Sequence, residues 1–103
     1  MYYKTVKYNI FLDIIMPSFE RSTRKNKKYM TLYNGKIIHF GDQRYEHFED
    51  NALGLYKDMN HYDPKRREAY RKRARGIKDK NGNLTYLDKN SPNYYSYHFL
   101  WWV

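Results

Sequence analysis

Histidines are the residues of this chain best suited to bind a metal ion, because a neutral imidazole nitrogen is a common metal ligand. The chain has four, at His39, His47, His61 and His98. A protein zinc site needs clustered ligands, for example two histidines four residues apart on a helix. No pair of these histidines has that spacing, and the chain contains no cysteine. The sequence therefore predicts no metal site and no cofactor.

Four acidic side chains lie close together in the sequence and could hold a hard cation such as Ca²⁺. They are Asp42, Glu46, Glu49 and Asp50. A calcium-binding loop repeats Asp or Asn at alternate positions before a glycine, and that pattern is absent here. We therefore expect these carboxylates to pair with Arg44 or with the basic clusters described below.

Sequence motifs for catalysis are also missing. The absence of cysteine removes thiol nucleophiles, disulfides and thiolate metal sites. The sequence has no glycine-rich phosphate loop and no serine in a nucleophile elbow. We therefore predict that the protein is not an enzyme.

Basic residues give the strongest chemical signal, and most of their excess lies between Asp63 and Gly76. Asp63 can accept a hydrogen bond from a free backbone N–H as an N-cap, and Pro64 suits the first helical position. Gly76 suits the left-handed residue that ends a helix. This pattern predicts a helix from about 64 to 75, whose seven cations against the single Glu68 supply six of the chain's net +9 charges.

Two interpretations of this basic helix remain open. In the first, the helix is solvated and packs through a narrow stripe formed by Ala69, Tyr70, Arg73 and Ala74. In the second, it is the electrostatic footprint of a polyanion or an acidic protein surface. We favour the second, because like charges three or four residues apart repel one another and a counter-surface would relieve that repulsion. The predicted contacts are Lys65, Arg66, Arg67, Arg71, Lys72 and Arg75.

A second basic cluster lies between Ser18 and Lys28, a segment with the composition of a linker. Its cations, also predicted to contact a partner, are Arg21, Arg24, Lys25, Lys27 and Lys28. We accordingly divide the chain into an N-terminal arm with a basic linker, residues 1–26, and a small α+β domain, residues 27–103.

Asn-Gly pairs predict one or two β-hairpins in this domain. Asn34-Gly35 lies between Tyr29–Tyr33 and Lys36–Phe40, and it tolerates the positive φ angles of a type I′ turn. A second pair, Asn81-Gly82, predicts a more polar hairpin within residues 77–87.

A short C-terminal helix, about 92–101, is predicted because Ser91 and Pro92 repeat the cap and first-position proline. Four apolar residues share one face of it: Tyr94, Tyr97, Leu100 and Trp101. We expect this face to close the core. The alternative is that it forms an aromatic docking surface, since Trp102 and Val103 extend beyond what a small core can absorb.

The composition predicts a small core and an unusually aromatic surface. Leu, Ile, Val and Phe together make up just under a fifth of the residues, whereas Tyr alone supplies 13. So few of these four residue types, combined with a high net charge, place the composition close to that of disordered chains. Tyrosine and tryptophan suit half-exposed sites and interfaces, because they bury area while keeping a polar group.

The N-terminal arm, Tyr2 to Met16, mixes strand and helix patterns, so periodicity does not decide its structure. An exposed edge of this composition would aggregate, so we expect the extended arm to pair with a partner. The apolar run Ile10–Met16 is too short to cross a bilayer and contains Asp13. The aromatic and arm residues predicted to contact a partner are Tyr2, Tyr3, Tyr8, Phe11, Trp101 and Trp102.

Three stretches of the sequence form one pattern: His39–Tyr45, Asp63–Arg67 with Tyr70 and Arg73, and the terminal Leu100-Trp101. Together they resemble a family of short basic proteins encoded by large double-stranded DNA viruses and tailed phages. The resemblance covers about residues 27–101, while the first 26 residues and Trp102-Val103 lie outside it. It implies a viral setting and a virion component, and it implies no catalytic residue.

We therefore expect an auxiliary or minor capsid protein that binds the major capsid protein shell, or other virion proteins, and stabilises the virion. The expected location is the virion capsid, after synthesis in the host cytoplasm, and no membrane partner is expected. The alternative is a protein that binds nucleic acid without sequence specificity, for genome condensation or packaging.

Overall fold

The computed structural model describes residues 17–103, which form a small α+β domain, as predicted. Three antiparallel strands, β1 (Phe19–Arg21), β2 (Lys27–Tyr33) and β3 (Lys36–Asp42), make one sheet in that order. Two helices follow, α1 (Pro64–Ala74) and α2 (Pro92–Phe99). The helices in this part of the chain are all too short or too polar to cross a membrane.

The predicted first hairpin is confirmed as the β2–β3 pair. Tyr29 pairs with Phe40 and Thr31 with Ile38 across the ladder. Asn34 and Gly35 both have positive φ angles, 54° and 79°. These angles fit a type I′ turn, whose twist matches that of the two strands.

The interpretation of Ser18 to Lys28 as a linker is wrong, because this segment contains β1 and the beginning of β2. Phe19 pairs with Thr31 in the sheet. Its ring lies 5.4 Å from that of Phe40 and 4.8 Å from that of Phe99, measured between centroids. A strand of three residues gives almost no periodic signal, and the rings that hold Phe19 come from distant parts of the chain.

Helix α2 covers the sheet and closes an aromatic core. The buried cluster consists of Tyr29, Ile38, Phe40, Tyr95 and Leu100. The Ser91 hydroxyl accepts a hydrogen bond from the Asn93 N–H, as expected of an N-cap. The helix ends at Phe99, two residues before the predicted end, and Tyr97 and Leu100 are buried while Tyr94 and Trp101 pack against the core. The interpretation that this face closes the core is therefore correct.

Helix α1 begins at Pro64 as predicted, and Asp63 Oδ1 accepts hydrogen bonds from the N–H groups of Lys65 and Arg66. It ends at Ala74, one residue before the predicted end. Its inward face differs from the predicted stripe, because Ala69 and Arg73 are exposed. Arginines take their place on the inward face of α1.

Two arginines hold α1 against aromatic rings. The Arg67 guanidinium lies 4.3 Å from the Phe48 ring centroid, and that of Arg71 lies 3.9 Å from the Tyr97 ring centroid. Arg71 also donates a hydrogen bond of 2.8 Å to the Trp101 carbonyl oxygen. The Tyr70 and Trp101 rings stack with centroids 4.2 Å apart. Because a guanidinium is planar and weakly hydrated, these stacks replace the aliphatic contacts that the helix lacks.

The predicted second hairpin forms only in part. A single antiparallel bridge joins Lys78 and Leu84, flanked by backbone bonds from the Asp79 N–H to the Asn83 carbonyl oxygen and from the Thr85 N–H to the Ile77 carbonyl oxygen, and residues Thr85–Leu87 turn into a 3-10 helix. The Asp79 carboxylate accepts the backbone N–H groups of Asn81 and Asn83 at 2.8 and 2.9 Å. This aspartate-centred turn satisfies the local backbone without a strand ladder.

The tyrosines of residues 17–103 divide between the core and the surface, so the expected aromatic surface is only partly present. Tyr29, Tyr95 and Tyr97 are buried. Tyr33, Tyr45 and Tyr62 are exposed, and the other four are half-buried. Aromatic rings form the core because the chain has few aliphatic residues to fill it.

Replacing Gly41 by alanine should destabilise the fold more than replacing Gly82. Both glycines have positive φ angles, 78° and 83°. A Cβ at position 41 would lie 3.0 Å from Leu100 Cδ1 and 3.1 Å from Lys28 Cβ, whereas a Cβ at position 82 meets nothing within 4 Å. We expect Gly82→Ala to lower the free energy of unfolding by about 1 kcal/mol through backbone strain alone. Overpacking should raise the cost of Gly41→Ala to about 2–4 kcal/mol.

Urea unfolding followed by circular dichroism would measure both values. Equal losses in the two variants would mean that the space around Gly41 is not limiting.

Candidate functional site

A groove of about 610 Å³ opens between the end of the sheet, helix α1 and the start of α2. Lys27 and Lys28 on β2 contribute one wall, and Arg66 and Arg73 on α1 contribute another. The two basic clusters, far apart in the sequence, therefore meet here. We call this feature the cationic groove. Its other lining residues include Gly41, Asp42, Tyr45, Glu46, Ala69, Tyr70, Asn93, Ser96, Leu100 and Trp101.

Backbone contacts hold the sheet side of the groove in place. The Gln43 N–H donates to the Asn26 carbonyl oxygen at 2.8 Å, and Gln43 Nε2 donates to the Lys27 carbonyl oxygen at the same distance. These bonds tie the turn before β2 to the segment that follows β3. Arg24 and Lys25 belong to that turn, and Arg44 follows Gln43 directly in the sequence.

The two carboxylates of the groove already have cationic partners. Asp42 accepts two hydrogen bonds from the Arg44 guanidinium at 2.8 and 2.9 Å, and these bonds hold the pKa of its carboxyl well below the usual range. Glu46 accepts a 2.9 Å bond from Arg66, which lowers the pKa of Glu46. Lys27 and Arg73 have no carboxylate within ion-pair distance among residues 17–103. The groove therefore keeps an excess of positive charge.

The predicted pairing of the acidic cluster with basic residues is confirmed for Asp42 and Glu46, whereas Asp50 binds a tyrosine of the core. The Tyr29 hydroxyl donates to Asp50 Oδ2, and the same carboxylate accepts the N–H groups of Ala52 and Tyr56 at 2.9 and 3.0 Å. Burial and this contact raise the pKa of Tyr29 well above its usual value. In the part of the chain that the structure describes, no group of three His, Asp or Glu residues is arranged to hold a metal ion.

Lys28 is not a surface contact, contrary to the prediction, because only 2% of its surface is exposed. Its Nζ donates to the Tyr45 carbonyl oxygen at 2.8 Å and approaches His47 Nδ1 at 2.9 Å. An ammonium group can only donate, so His47 Nδ1 is the acceptor and Nε2–H donates to Asn60 Oδ1 at 2.7 Å. Burial lowers the pKa of Lys28 to about 8. Burial and the Lys28 charge lower the pKa of His47 to about 4.

The other predicted contact residues divide into three groups. Arg67 and Arg71 stack on rings, and Trp101 and Trp102 are half-buried, so none of these side chains is wholly open to a partner. The exposed cations are Arg21, Arg24, Lys25, Lys65, Arg66, Lys72 and Arg75, and Lys27 is half-buried at the groove. Tyr2, Tyr3, Tyr8 and Phe11 lie outside the described residues.

Sequence reasoning missed two residues of the groove, Arg73 and Tyr45. Arg73 was assigned to the packing stripe but is exposed at the groove wall. Tyr45 is 65% exposed, and the Arg44 guanidinium lies 5.9 Å from its ring centroid. The adjacent Arg44-Tyr45 pair gave a weak signal of a cationic aromatic surface. Nothing local indicated that β2, α1 and α2 would enclose a common space.

Comparison with known proteins gives one partial match. A model described as "Family of unknown function (DUF5754)" matches residues 18–52, about a third of the chain. This stretch contains the whole sheet and the Lys28–His47 contact, but not α1 or α2. No curated protein and no solved structure matches the chain. The matched family carries no function, so the viral setting implied by the resemblance stays a prediction.

Acid should destabilise the protein between pH 6.5 and 4 through His47. The folded state keeps this imidazole neutral down to about pH 4, whereas the unfolded chain takes up the proton near pH 6.5. Stability present above pH 6.5 is therefore lost as the pH falls towards 4, by an amount on the order of 3 kcal/mol. Lys28 changes charge near pH 8, outside this window.

Urea unfolding at a series of pH values would measure the effect in the unsubstituted protein, in His47→Gln and in the control His39→Gln. We expect His47→Gln to be less stable at pH 7 but to lose much less stability in acid. The control His39→Gln replaces a half-exposed histidine and should lose stability in acid nearly as steeply as the unsubstituted protein. An equally steep acid loss in His47→Gln would assign the effect to other groups.

Proposed function

We propose that this protein binds nucleic acid without sequence specificity through the cationic groove. The observation that supports it best is the meeting of two basic clusters, separated by more than 30 residues of sequence, at the walls of one groove. Lys27 and Arg73 have no ion-pair partner there among residues 17–103, and the exposed Arg24 and Lys25 lie in the turn that precedes Lys27. A linear polyanion gains most from such an extended series of cations, because each neutralised phosphate releases counterions.

We thus favour the second of the two functions expected from the sequence, which is nucleic-acid binding without sequence specificity. The capsid expectation depended partly on a surface rich in aromatic rings, and only three of the ten tyrosines of residues 17–103 are exposed. It also depended on the N-terminal arm, which lies outside the described residues. The cationic clusters support either partner, but a concave groove suits a strand better than a flat shell surface. Non-specific binding in a virion would serve genome condensation or packaging.

Charge reversal in the groove should weaken binding to nucleic acid far more than the same charge change elsewhere. We expect the double variant Lys27→Glu, Arg73→Glu to bind a fluorescent oligonucleotide at least tenfold more weakly at about 100 mM salt. The slope of log affinity against log salt concentration should also fall by about 1.4, because two phosphate contacts are lost from a single strand. Fluorescence anisotropy over a salt series would measure both quantities.

The matched control is Lys78→Glu, Lys80→Glu, which changes the net charge equally on an exposed turn that does not line the groove. It should retain most of the affinity and the salt slope. Equal losses in the two double variants would mean that net charge alone governs binding. An unsubstituted protein that binds no oligonucleotide even at low salt would eliminate the proposal.

An auxiliary capsid role, with the major capsid protein as partner and the virion as location, is the second candidate. The observation that favours it is an apolar pair on the hairpin, Leu32 and Ile37, which face each other across the ladder and are 68% and 60% exposed. Neighbouring exposed apolar side chains can contribute to a docking surface. Co-sedimentation with genome-free shells, lost in the variant Leu32→Ser, Ile37→Ser, would support this candidate. Release of the protein together with the genome would count against it.

A further inference from the structure

We propose that the cationic groove binds single-stranded rather than duplex nucleic acid, with Tyr45 as the ring on which an unpaired base stacks. This inference rests on the proposed function and specifies its ligand. The argument has three parts, which are the exposed ring, its fixed backbone and the cations around it.

Tyr45 is the most exposed tyrosine in residues 17–103, and it lines the groove that also contains Lys27 and Arg73. The other two rings of the groove are already occupied, since Tyr70 and Trp101 stack on each other with an interplanar angle of 8°. A base in a duplex has both faces covered by its neighbours. Only an unpaired base can place a face on Tyr45, and such stacking is a general feature of single-strand recognition.

The backbone of Tyr45 is held although most of the residue is exposed. Its N–H donates to the Asp42 carbonyl oxygen at 3.2 Å, and its carbonyl oxygen accepts the 2.8 Å bond from the buried Lys28 ammonium. A ring carried by a fixed backbone loses less conformational freedom on binding than one on a free loop. The buried lysine therefore contributes to binding by positioning Tyr45, and not by contacting phosphate.

The cations around Tyr45 can hold the phosphates on either side of a stacked base. Lys27 and Arg73 are available directly, while Arg66 is paired with Glu46. That pair is about half exposed on both sides, and exposed ion pairs are weak, so a phosphate can displace Glu46 from Arg66. An acidic peptide could also neutralise these cations, but its carboxylates would make no use of the exposed Tyr45 face.

The test compares four fluorescent probes on the full chain at one salt concentration: oligodeoxythymidine and oligouridine of about 20 nucleotides, a duplex of the same length, and polyglutamate. The two single strands distinguish DNA from RNA as the source of the shared chemistry. We expect both to bind at least tenfold more tightly than the duplex and than polyglutamate.

Tyr45→Ala should weaken single-strand binding by about tenfold or more, whereas Tyr45→Phe should retain it, because stacking needs the ring and not the hydroxyl. The matched control is Tyr33→Ala, which removes an exposed ring at the far end of β2 that does not line the groove. Thermal unfolding of each variant would confirm that it is folded. Photocrosslinking of iodouridine-substituted strands, followed by mass spectrometry, should map to Tyr45.

The outcomes separate this inference from the proposed function. Equal affinity for duplex and single strands, or an unchanged affinity in Tyr45→Ala while Lys27→Glu, Arg73→Glu still weakens binding, would overturn the inference and leave the function standing. Tighter binding of polyglutamate than of any nucleic acid would overturn both, in favour of an acidic protein partner. Failure of every nucleic acid to bind would also overturn both.

Discussion

The burial of the Lys28 ammonium group at the end of the sheet is the constraint on which the rest of the structure depends. A charge removed from water must be met by acceptors, or its burial costs several kcal/mol. The Tyr45 carbonyl oxygen and the His47 ring meet it here, and Asn60 in turn binds both His47 and the Asp50 N–H. Asp50 then accepts the Tyr29 hydroxyl in the aromatic core. One buried cation thus fixes the long crossing segment after β3, and Gly41 makes room for its side chain.

The basic residues of the chain do two different kinds of work. Lys28, Arg67 and Arg71 point inward. The Lys28 ammonium is hydrogen-bonded within a polar network, and the two guanidinium groups stack on aromatic rings. Lys65, Arg66, Lys72 and Arg73 on α1 point outward. This division explains how a helix with so little apolar surface docks at all, because guanidinium stacking supplies contact area that leucines supply in other proteins. It also means that the charge available to a partner is smaller than the net charge suggests.

The same arrangement brings cationic residues from distant parts of the sequence together in one groove. The sheet, its following turn and α1 each contribute a part of the cationic groove, and the groove keeps its excess of positive charge because its two carboxylates are already paired. The proposal of nucleic-acid binding depends on this local excess rather than on composition. Tyr45 adds a feature that charge alone lacks, since its ring is exposed while its backbone is held by the buried lysine.

Local signals in the sequence determined the β2–β3 hairpin, the start of both helices and the α+β class. An Asn-Gly turn, an Asp-Pro start and a Ser-Pro start act through neighbouring backbone groups, so they can be read without the rest of the fold. The second Asn-Gly turn joins a single antiparallel bridge rather than two strands, and the Asp79 side chain satisfies much of that turn. Tertiary structure alone decided the inclusion of β1 in the sheet, the burial of Lys28, the inward turn of Arg67 and Arg71, and the groove itself. Each of these depends on residues distant in sequence, and whether a cation meets water, a ring or a carbonyl oxygen is settled only when those residues pack together.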